Sequence, residues 1–421
     1  MGLAEEKELE SRYLMHAYAR EDVQFTRGEM TRLFDDGGRE YLDFLAGIAV
    51  VSVGHCNPRV TAAIVEQAEK LVHVSNYFHI EKRGQLARRL SEMLAGKTGA
   101  DGEEGGETGG GSGADAATWK TFFANSGAEA NEGAVKLARR WGAERLDGAW
   151  GIVTARRSFH GRTLATLAAT AQDRFQDPFA PLPPGFSHVP LNDVAALEAA
   201  LDAEVDGTRP AALLLEPVQG ESGVWPCTRE YMQAARRLTE QRGMLLVLDE
   251  VQTGLARTGK PFCFQRLGVV PDVVTMAKGI ANGVPMGAFS ARGEAAELLQ
   301  PGMHGSTFGG SALAVAAADA TTQIMCEPGF CAHVAEVGDY LSERLAALPF
   351  VTDVRGAGLM VGASIDAAHA HEMARAGLAH GLVFNAPADD VLRFLPPLVI
   401  ERADVDALVE KLPECYEEAC R

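Results

Sequence analysis

The sequence has 421 residues, of which 47% are hydrophobic, and this length supports two or more domains with sizeable cores. Its 39 basic and 57 acidic residues give a net charge of −18 at pH 7. A surface of this sign repels nucleic-acid phosphates and anionic lipid, so we expect no nucleic acid and no membrane as a partner. A local basic pocket for a small anion is still compatible with this charge.

The seven cysteines are scattered, and none forms a C-x-x-C pair. Their pattern indicates reduced thiols rather than a disulfide framework or a cysteine zinc site, and the sequence predicts no other metal site. The acidic start MGLAEEKELESRY lacks the apolar segment of a secretory signal, and no apolar run is long enough to span a membrane. We therefore predict a cytoplasmic protein.

The first quarter of the chain mixes short strands and helices with one glycine-rich stretch. Residues 41–55 indicate one or two strands and a tight turn, whereas 58–72 and about 81–95 have apolar residues at helical spacing. Residues 96–117 are acidic and rich in glycine, a composition that cannot bury a core. We expect a flexible surface loop there.

From residue 118 onward, predicted strands alternate with predicted helices. The strands are expected within 118–125, 151–161, 211–220, 244–250 and 271–279, and the intervening helices include 129–145 and 229–243. Apolar strands separated by helices predict an α/β fold with a mostly parallel sheet that is covered on both faces. After about residue 320 the pattern changes to two helical stretches around a strand pair at 350–365, which predicts a separate, smaller α+β domain.

The run MLLVLDE at 244–250 raises an alternative, because nucleotide hydrolases hold Mg²⁺ with carboxylates at the end of a strand. Such an ATPase also needs the motif G-x-x-x-x-G-K-[ST] between a strand and a helix. The nearest match, SEMLAGKT at 91–98, has Ser91 in place of the first glycine and follows a predicted helix. These departures argue against an ATPase.

A predicted helix start offers a first candidate binding site. Ser126, Gly127 and Ala128 lie between a strand and a helix, and Ser126 and Glu129 have the spacing of a capping box. The free amides of such a helix start can bind an anion. An ordinary capped helix is the more common interpretation of this motif when it stands alone.

Two charged residues follow buried strands. A carboxylate such as Asp249 after five apolar residues needs a partner, which a protonated heterocyclic nitrogen, an arginine or a metal would provide. Partial burial of Lys278 would lower the pKa of its amine and make it nucleophilic, although a solvated lysine is the ordinary alternative. Together with an anion-binding helix start, these are the three groups that pyridoxal 5′-phosphate requires.

At this point the sequence shows a family resemblance. It resembles the class III (subgroup II) pyridoxal-phosphate aminotransferases along nearly its full length, and most of all the acetylornithine aminotransferases among them. The motifs that carry this resemblance are YLDFLAGIAV, HVSNYFH, NSGAEANEGAVKLAR, SFHGRT, EPVQGESGV, LDEVQTGLARTGK, AKGIANGVPMGA and HGSTFGG.

The resemblance implies a fold and a division of the chain. It implies the fold-type I architecture of pyridoxal-phosphate-dependent transferases, with a mostly parallel, seven-stranded type of sheet in the large domain. The large cofactor-binding domain would comprise residues 73–318. Residues 319–421 would form the smaller domain, which the N-terminal segment 1–72 would join.

The resemblance also implies how the cofactor is bound. Ser126, Gly127 and Ala128 match the phosphate-binding turn. Phe159 matches the aromatic residue that stacks on the pyridine ring. Asp249 matches the partner of the pyridine nitrogen.

Three further positions complete the implied cofactor site. Gln252 matches the residue near the ring hydroxyl. Lys278 matches the lysine that forms the Schiff base with the cofactor aldehyde and then moves the proton during transfer. Thr307 matches a residue that reaches the phosphate in the other subunit, and this match implies a homodimer with shared sites.

The substrate-binding positions follow from the same resemblance. Arg393 matches the clamp for the α-carboxylate of 2-oxoglutarate and glutamate, since the planar guanidinium binds a carboxylate through two hydrogen bonds. Arg162 matches a residue that contacts the carboxylate of the acylated amino acid. Glu221 matches a glutamate that pairs with the carboxylate-binding arginine and releases it when 2-oxoglutarate enters.

These matches predict a ping-pong transfer of the 5-amino group of N2-acetyl-L-ornithine to 2-oxoglutarate, a step of arginine biosynthesis. Ornithine, succinylornithine, succinyldiaminopimelate and 4-aminobutyrate are alternative amino donors within the family. An aminomutase or decarboxylase of the same fold would not need Arg393. A non-enzymatic scaffold protein would not need Asp249 and Lys278 together.

Overall fold

The computed structural model describes residues 2–97 and 118–421, so residues 98–117 of the predicted loop lie outside it. The strands in chain order are β1 (Phe25–Glu29), β2 (Arg32–Asp35), β3 (Glu40–Asp43), β4 (Trp119–Ala124), β5 (Gly151–Ala155), β6 (Phe186–Val189), β7 (Pro210–Leu215), β8 (Val218–Gln219), β9 (Trp225–Pro226), β10 (Leu245–Asp249), β11 (Val273–Met276), β12 (Gly287–Arg292), β13 (Val351–Ala357), β14 (Met360–Ile365), β15 (Leu382–Val383), β16 (Asn385–Ala388) and β17 (Val391–Phe394).

Helices separate most of these strands. They are α1 (Leu3–Tyr13), α2 (Ala46–Ala49), α3 (Pro58–Lys70), α4 (Arg83–Leu94), α5 (Gly127–Arg145), α6 (Leu164–Ala169), α7 (Asp173–Gln176), α8 (Val194–Asp202), α9 (Arg229–Gln241), α10 (Phe264–Leu267), α11 (Ala312–Met325), α12 (Phe330–Ala346), α13 (Ala370–Ala379) and α14 (Arg402–Ala419). Short 3₁₀ turns cover Asp177–Phe179, Lys278–Ala281 and Gly293–Glu297.

The central sheet has the strand order β4-β12-β11-β10-β7-β5-β6 within the described residues. Strands β6, β5, β7, β10 and β11 run parallel, whereas β12 is antiparallel to both β11 and β4. Every residue of β5, β7, β10 and β11 is buried, as expected for strands covered on both faces. The predicted α/β fold with a mostly parallel seven-stranded sheet is confirmed.

The segment 41–55 forms one strand, not two. After β3 the chain turns through Ala46, Gly47, Ile48 and Ala49, all of which have positive φ angles between 50° and 65°. This left-handed backbone is incompatible with a strand, and only Gly47 adopts it without a steric cost. The apolar composition of the segment therefore reflects a packed turn.

Local sequence signals explain where the long helices begin. Asn57 precedes α3, and its side chain accepts a hydrogen bond from the Arg59 backbone N–H at 3.1 Å, while Pro58 occupies the first turn. The helix predicted at 129–145 begins two residues earlier, at Gly127, because Ser126 is its N-cap.

The described residues form three smaller sheets, two of four strands and one in which β8 pairs with β9. The antiparallel sheet β13-β14-β17-β16 includes the strand pair predicted at 350–365. In the sheet β1-β2-β3-β15, a strand from the C-terminal part of the chain runs parallel to β3. Helix α11 runs across position 318/319, so a domain boundary there would cut a continuous helix; the proposed boundaries stay predictions.

None of the described helices is both long enough and apolar enough to cross a membrane.

Candidate active site

A cavity of about 370 Å³ lies at the carboxyl ends of β10 and β11, and we call it the inner cavity. Ligands typically bind at this edge of an open α/β sheet. The structure brings nine of the predicted site residues to its wall: Ser126, Gly127, Ala128, Phe159, Arg162, Glu221, Asp249, Gln252 and Lys278. Arg393 and Thr307 are not among its lining residues.

Asp249 ends β10 and is almost fully buried, with 4% of its surface exposed. Its Oδ2 accepts hydrogen bonds from Asn131 Nδ2 and lies 2.8 Å from His160 Nδ1, and its Oδ1 accepts one from the Val251 backbone N–H at 3.0 Å. Fixed donors on both oxygens stabilise a buried carboxylate and set its orientation. The carboxylate is thus held rigidly at the wall of the cavity.

The neighbouring Glu250 makes structural hydrogen bonds away from the inner cavity. Its carboxylate accepts hydrogen bonds from the Thr253 hydroxyl and from the backbone N–H groups of Cys263 and Phe264, at 2.6 to 3.0 Å. Glu250 does not line the inner cavity, because successive side chains of a strand point to opposite faces. Asp249 and Glu250 therefore do not form the paired carboxylates that a magnesium-dependent ATPase would need.

Lys278 follows β11, the strand that pairs with β10, and lines the inner cavity together with Asp249. Burial lowers the pKa of its amine, an effect that the charge of Asp249 opposes and that of Arg393 reinforces. Its backbone has a φ of 43°, in the left-handed region that non-glycine residues seldom adopt. Such strain is found at functional sites, where the surrounding structure imposes the conformation.

The start of α5 at residues 126–128 lines the inner cavity, and the first backbone N–H groups of a helix have no partner within the helix. Ser126 Oγ accepts a hydrogen bond from the Glu129 N–H at 3.1 Å, as the capping motif predicts. The other half of the predicted capping box differs, because the Glu129 carboxylate accepts from the Asn125 N–H at 2.8 Å. At Gly127 a Cβ atom would lie 2.9 Å from Val251, so only glycine allows this close approach.

Phe159 lines the inner cavity on the loop after β5. Its backbone N–H donates a hydrogen bond to Glu216 Oε1 at 2.8 Å. Burial, together with the nearby charge of Asp249, raises the pKa of Glu216 well above its usual range. Glu216 therefore anchors the Phe159 loop from a buried position beside the cavity.

Gln252 carries a buried side-chain oxygen, Oε1, that has no hydrogen-bond partner among the described residues. A buried polar atom without a partner is unusual in native proteins and calls for an explanation. Gln252 lines the inner cavity, so a ligand with a hydroxyl donor would satisfy this oxygen.

A second cavity of about 480 Å³, the outer cavity, adjoins the inner one, and Glu221 lines both. Arg393 lines the outer cavity and is buried; its Nε and Nη1 donate to Asn385 Oδ1 at 3.1 Å and to the Gly220 carbonyl at 2.7 Å. Burial lowers the pKa of Arg393 to about 10, and the charge of Glu221 opposes this shift. A pKa of about 10 leaves the guanidinium charged at neutral pH.

The predicted ion pair between Glu221 and Arg393 is not formed in the structure. Glu221 Oε1 instead lies 3.0 Å from Arg174 Nη2, and its Oε2 accepts a hydrogen bond from Gln172 Nε2 at 2.8 Å. The physical reason is that α7 carries Arg174 to the rim of the outer cavity, where the glutamate reaches it directly.

Arg162 lies over aromatic rings rather than in an ion pair. Its guanidinium carbon is 3.8 Å from the centre of the Phe175 ring and 5.4 Å from that of Phe159. A cation held against ring faces keeps its N–H groups free at the edge of the guanidinium. The arginine is therefore positioned to receive a carboxylate at the mouth of the inner cavity.

Thr307 is exposed and lies apart from the inner cavity of its own chain. The same loop contacts the site through Ser306, whose Oγ accepts a hydrogen bond from Asn125 Nδ2 at 3.1 Å. A direct contact of Thr307 with a cofactor in the same chain is not indicated by this placement.

Sequence reasoning missed several residues that shape the site. They are Asn131 and His160, which hold Asp249; Glu216, which anchors the Phe159 loop; and Gln172 and Arg174, which hold Glu221. Asn131 and His160 stand inside motifs that carry the family resemblance, but both have polar neighbours in the sequence, so polarity alone does not distinguish them. Gln172 and Arg174 follow a short irregular segment that gives no such signal.

Comparison with known proteins identifies the family. Residues 15–416 match the family model described as aminotransferase class-III. The chain is a class-III aminotransferase. The acetylornithine aminotransferase of Caldanaerobacter subterraneus subsp. tengcongensis is 43% identical to it over 414 residues, which cover 97% of this chain and 98% of that protein.

Solved structures agree with this assignment. An acetylornithine aminotransferase from Elizabethkingia anophelis superposes with a TM-score of 0.81 at 30% identity, covering 99% of this aminotransferase and 100% of that chain. An ornithine aminotransferase from Toxoplasma gondii, whose description reports PLP at its active site, has a TM-score of 0.88 at 29% identity and covers 100% and 96% of the two chains. The fold is that of the pyridoxal-phosphate-dependent aminotransferases.

This aminotransferase uses pyridoxal 5′-phosphate, and the inner cavity fits that cofactor. The helix start at Gly127 supplies backbone donors suited to a phosphate. The unpartnered Gln252 Oε1 is an acceptor suited to the ring hydroxyl, and Asp249 is an acceptor suited to a protonated ring nitrogen. Lys278 supplies an amine of lowered pKa at the same cavity.

Proposed function

We propose that this aminotransferase moves the 5-amino group of N2-acetyl-L-ornithine to 2-oxoglutarate, giving N-acetyl-L-glutamate 5-semialdehyde and L-glutamate. The observation that carries the proposal is that Lys278 and Asp249 line the inner cavity together with Arg162, while Arg393 lines the cavity next to it. The acetylornithine aminotransferase relative that matches 97% of the chain supports an acylated ornithine as the donor. By this resemblance, the reaction is a step of arginine biosynthesis.

Pyridoxal phosphate, when bound, supplies an electron-accepting ring that makes amino-group transfer possible. Asp249 would keep the ring nitrogen protonated, since its buried carboxylate is fixed by three donors. The backbone N–H groups at Gly127 and Ala128 would hold the phosphate, and Phe159 would lie beside the ring. Lys278 Nζ would hold the cofactor aldehyde and move the proton from the amine-bearing carbon of the donor.

Two arginines bind the substrate carboxylates. Arg162 binds the carboxylate of the acylated amino acid, because its guanidinium is fixed by Phe175 at the mouth of the inner cavity. Arg393 binds the α-carboxylate of glutamate and 2-oxoglutarate from its buried position, with Glu221 as the adjacent acidic group. A desolvated arginine binds a carboxylate more strongly than an exposed one.

We also infer a homodimer in which Thr307 contributes to the partner's site. Leu71, Val72, Tyr77 and Phe78 are exposed apolar residues, and Phe308 beside Thr307 is 63% exposed. The rings of His73 and Phe308 are 5.3 Å apart, so the two segments meet in a single apolar patch. Such a patch is typical of a protein–protein interface. All seven cysteines are free thiols, which supports a cytoplasmic location.

The experiment that tests the donor is an absorption spectrum of the purified holoenzyme. Addition of N-acetylornithine alone is expected to bleach the visible cofactor band, and addition of 2-oxoglutarate is expected to restore it. A spectrum that responds to glutamate but not to N-acetylornithine would overturn the proposed donor.

Free ornithine is the second candidate donor, because the Toxoplasma gondii structure that superposes with a TM-score of 0.88 is an ornithine aminotransferase. The same spectral assay compares ornithine, N-succinylornithine, N-succinyl-diaminopimelate and 4-aminobutyrate at matched concentrations. We expect the value of kcat/KM to be largest for N-acetylornithine. A larger value for free ornithine would transfer the assignment to that substrate.

A further inference from the structure

Glu221 is a carboxylate with two alternative cationic neighbours. It bonds Arg174 and Gln172, and both contacts come from the segment that leads into and forms α7. Its side chain retains 27% exposure, and that of Arg174 retains 59%. An ion pair this exposed is weak and exchanges readily.

Arg393 is the other cation beside Glu221. Its Nε and Nη1 are occupied by Asn385 and the Gly220 carbonyl, and its Nη2 makes no hydrogen bond within the described part of the chain. Arg393 is 4% exposed and lines the outer cavity together with Glu221 and Arg174. A buried guanidinium with a free end attracts any carboxylate that can reach it.

From this arrangement we propose that Arg174 holds Glu221 away from Arg393, so that Arg393 stays free to bind a substrate carboxylate. Arg174 would be a specificity-determining residue that favours the dicarboxylic substrates, glutamate and 2-oxoglutarate, without touching them. This inference rests on the proposed function, because it assigns Arg393 to those substrates.

Arg174 also contacts the aromatic ring of Phe175. Its guanidinium carbon lies 4.5 Å from the centre of the Phe175 ring, the same ring that Arg162 covers at 3.8 Å. Phe175 thus contacts both Arg162 and Arg174. Arg162 stays directed to the inner cavity, and Arg174 is directed to Glu221.

Removal of Arg174 tests the proposal. In an Arg174→Ala variant the Glu221 carboxylate is expected to turn to Arg393, and each dicarboxylic substrate must then displace it. We expect KM for glutamate and for 2-oxoglutarate to rise about tenfold, whereas KM for N-acetylornithine changes less than about threefold. Single-turnover measurements of the two half-reactions separate these effects from kcat.

A second substitution distinguishes this mechanism from direct substrate binding. In the double variant Arg174→Ala/Glu221→Gln, the neutral amide cannot compete for Arg393, so KM for glutamate is expected to return to within about twofold of wild type. Arg174→Lys is expected to restore much of the loss, because it retains the charge next to Glu221.

Arg402→Ala is the matched control, because Arg402 is an exposed arginine that pairs with the exposed Glu336 and lines neither cavity. Its kinetic constants should equal those of the wild type. An unchanged KM for glutamate in Arg174→Ala, or a double variant that is as impaired as the single one, would overturn the inference. A wild-type enzyme that reacts with glutamate but not N-acetylornithine would count against the proposed donor alone.

Discussion

The inner and outer cavities hold their charged groups in contrasting ways. In the inner cavity, the Asp249 carboxylate is 4% exposed and is fixed by donors on both oxygens. In the outer cavity, Glu221 keeps 27% exposure and is held by an arginine that is itself mostly exposed. The contacts of Asp249 permit a single orientation of its carboxylate, whereas those of Glu221 permit its carboxylate to exchange one cationic partner for another.

This difference corresponds to the two tasks of an aminotransferase. Transfer of a proton requires reacting groups that are already in position, because loss of orientation costs catalytic rate. Two substrates of different charge must also enter the same site in turn, which requires a polar group that can change its partner. Accordingly, the rigid carboxylate of Asp249 belongs to a strand of the central sheet, and the exchangeable carboxylate of Glu221 belongs to the turn after β8.

The largest expected effect comes from removing Lys278 from the inner cavity. Lys278→Ala should lower kcat by about 10³-fold or more, because it removes the group that moves the proton. Binding of 2-oxoglutarate, measured by calorimetry, should change little, since Arg393 is intact in the outer cavity. The control is Lys260→Ala, at an exposed lysine; substantial activity in Lys278→Ala would contradict the assignment.

The second prediction concerns the buried carboxyl group of Glu250, which follows Asp249 at the end of β10. Burial raises its pKa from 4.5 to about 7. Because the folded pKa is the higher one, this group's contribution to stability is fully present below pH 4.5 and is lost as the pH rises through 7.

Between about pH 4.5 and about pH 8, the free energy of unfolding of the wild type should fall by about 3 kcal/mol more than that of Glu250→Gln. Urea unfolding at a series of pH values measures this difference. Glu410→Gln, at an exposed glutamate, should keep the wild-type slope. Parallel pH profiles for wild type and Glu250→Gln would show that Glu250 does not titrate in this way.

The smallest effect is expected at the helix start. Ser126→Ala removes the acceptor of the Glu129 N–H and should lower the free energy of unfolding of the apoprotein by about 1 kcal/mol. Denaturant unfolding without cofactor measures this loss. Ser126→Asn, which retains a capping acceptor, should lose less; equal losses in both variants would argue against a capping role.

The inner cavity was largely predictable from sequence because its elements follow simple local rules. Apolar runs identified β10 and β11, and the carboxyl ends of parallel neighbours necessarily meet at one edge. Asp249 and Lys278 were therefore brought together by the predicted topology. The capping box was right at Ser126 and wrong at Glu129, whose side chain reaches Asn125.

The outer cavity was less predictable because its contacts join segments that are distant in sequence. Arg393 donates to the carbonyl of Gly220, 173 residues away, and no local pattern encodes such a contact. Family resemblance indicated Arg393 as the partner of Glu221, whereas the structure shows Arg174 in that position. A family resemblance indicates which residues form a site. The ion pair that Glu221 forms also depends on the other charged side chains near it, such as Arg174.

The pairing of β3 with β15 has a consequence for the way the chain is made. The backbone N–H groups of Leu42 and Phe44 donate to the carbonyls of Gly381 and Val383 at 2.8 and 2.7 Å. On the ribosome, this edge of β3 stays open until nearly the whole chain has been translated. An open strand edge can pair with another nascent chain, so β3 is exposed to mispairing until β15 emerges.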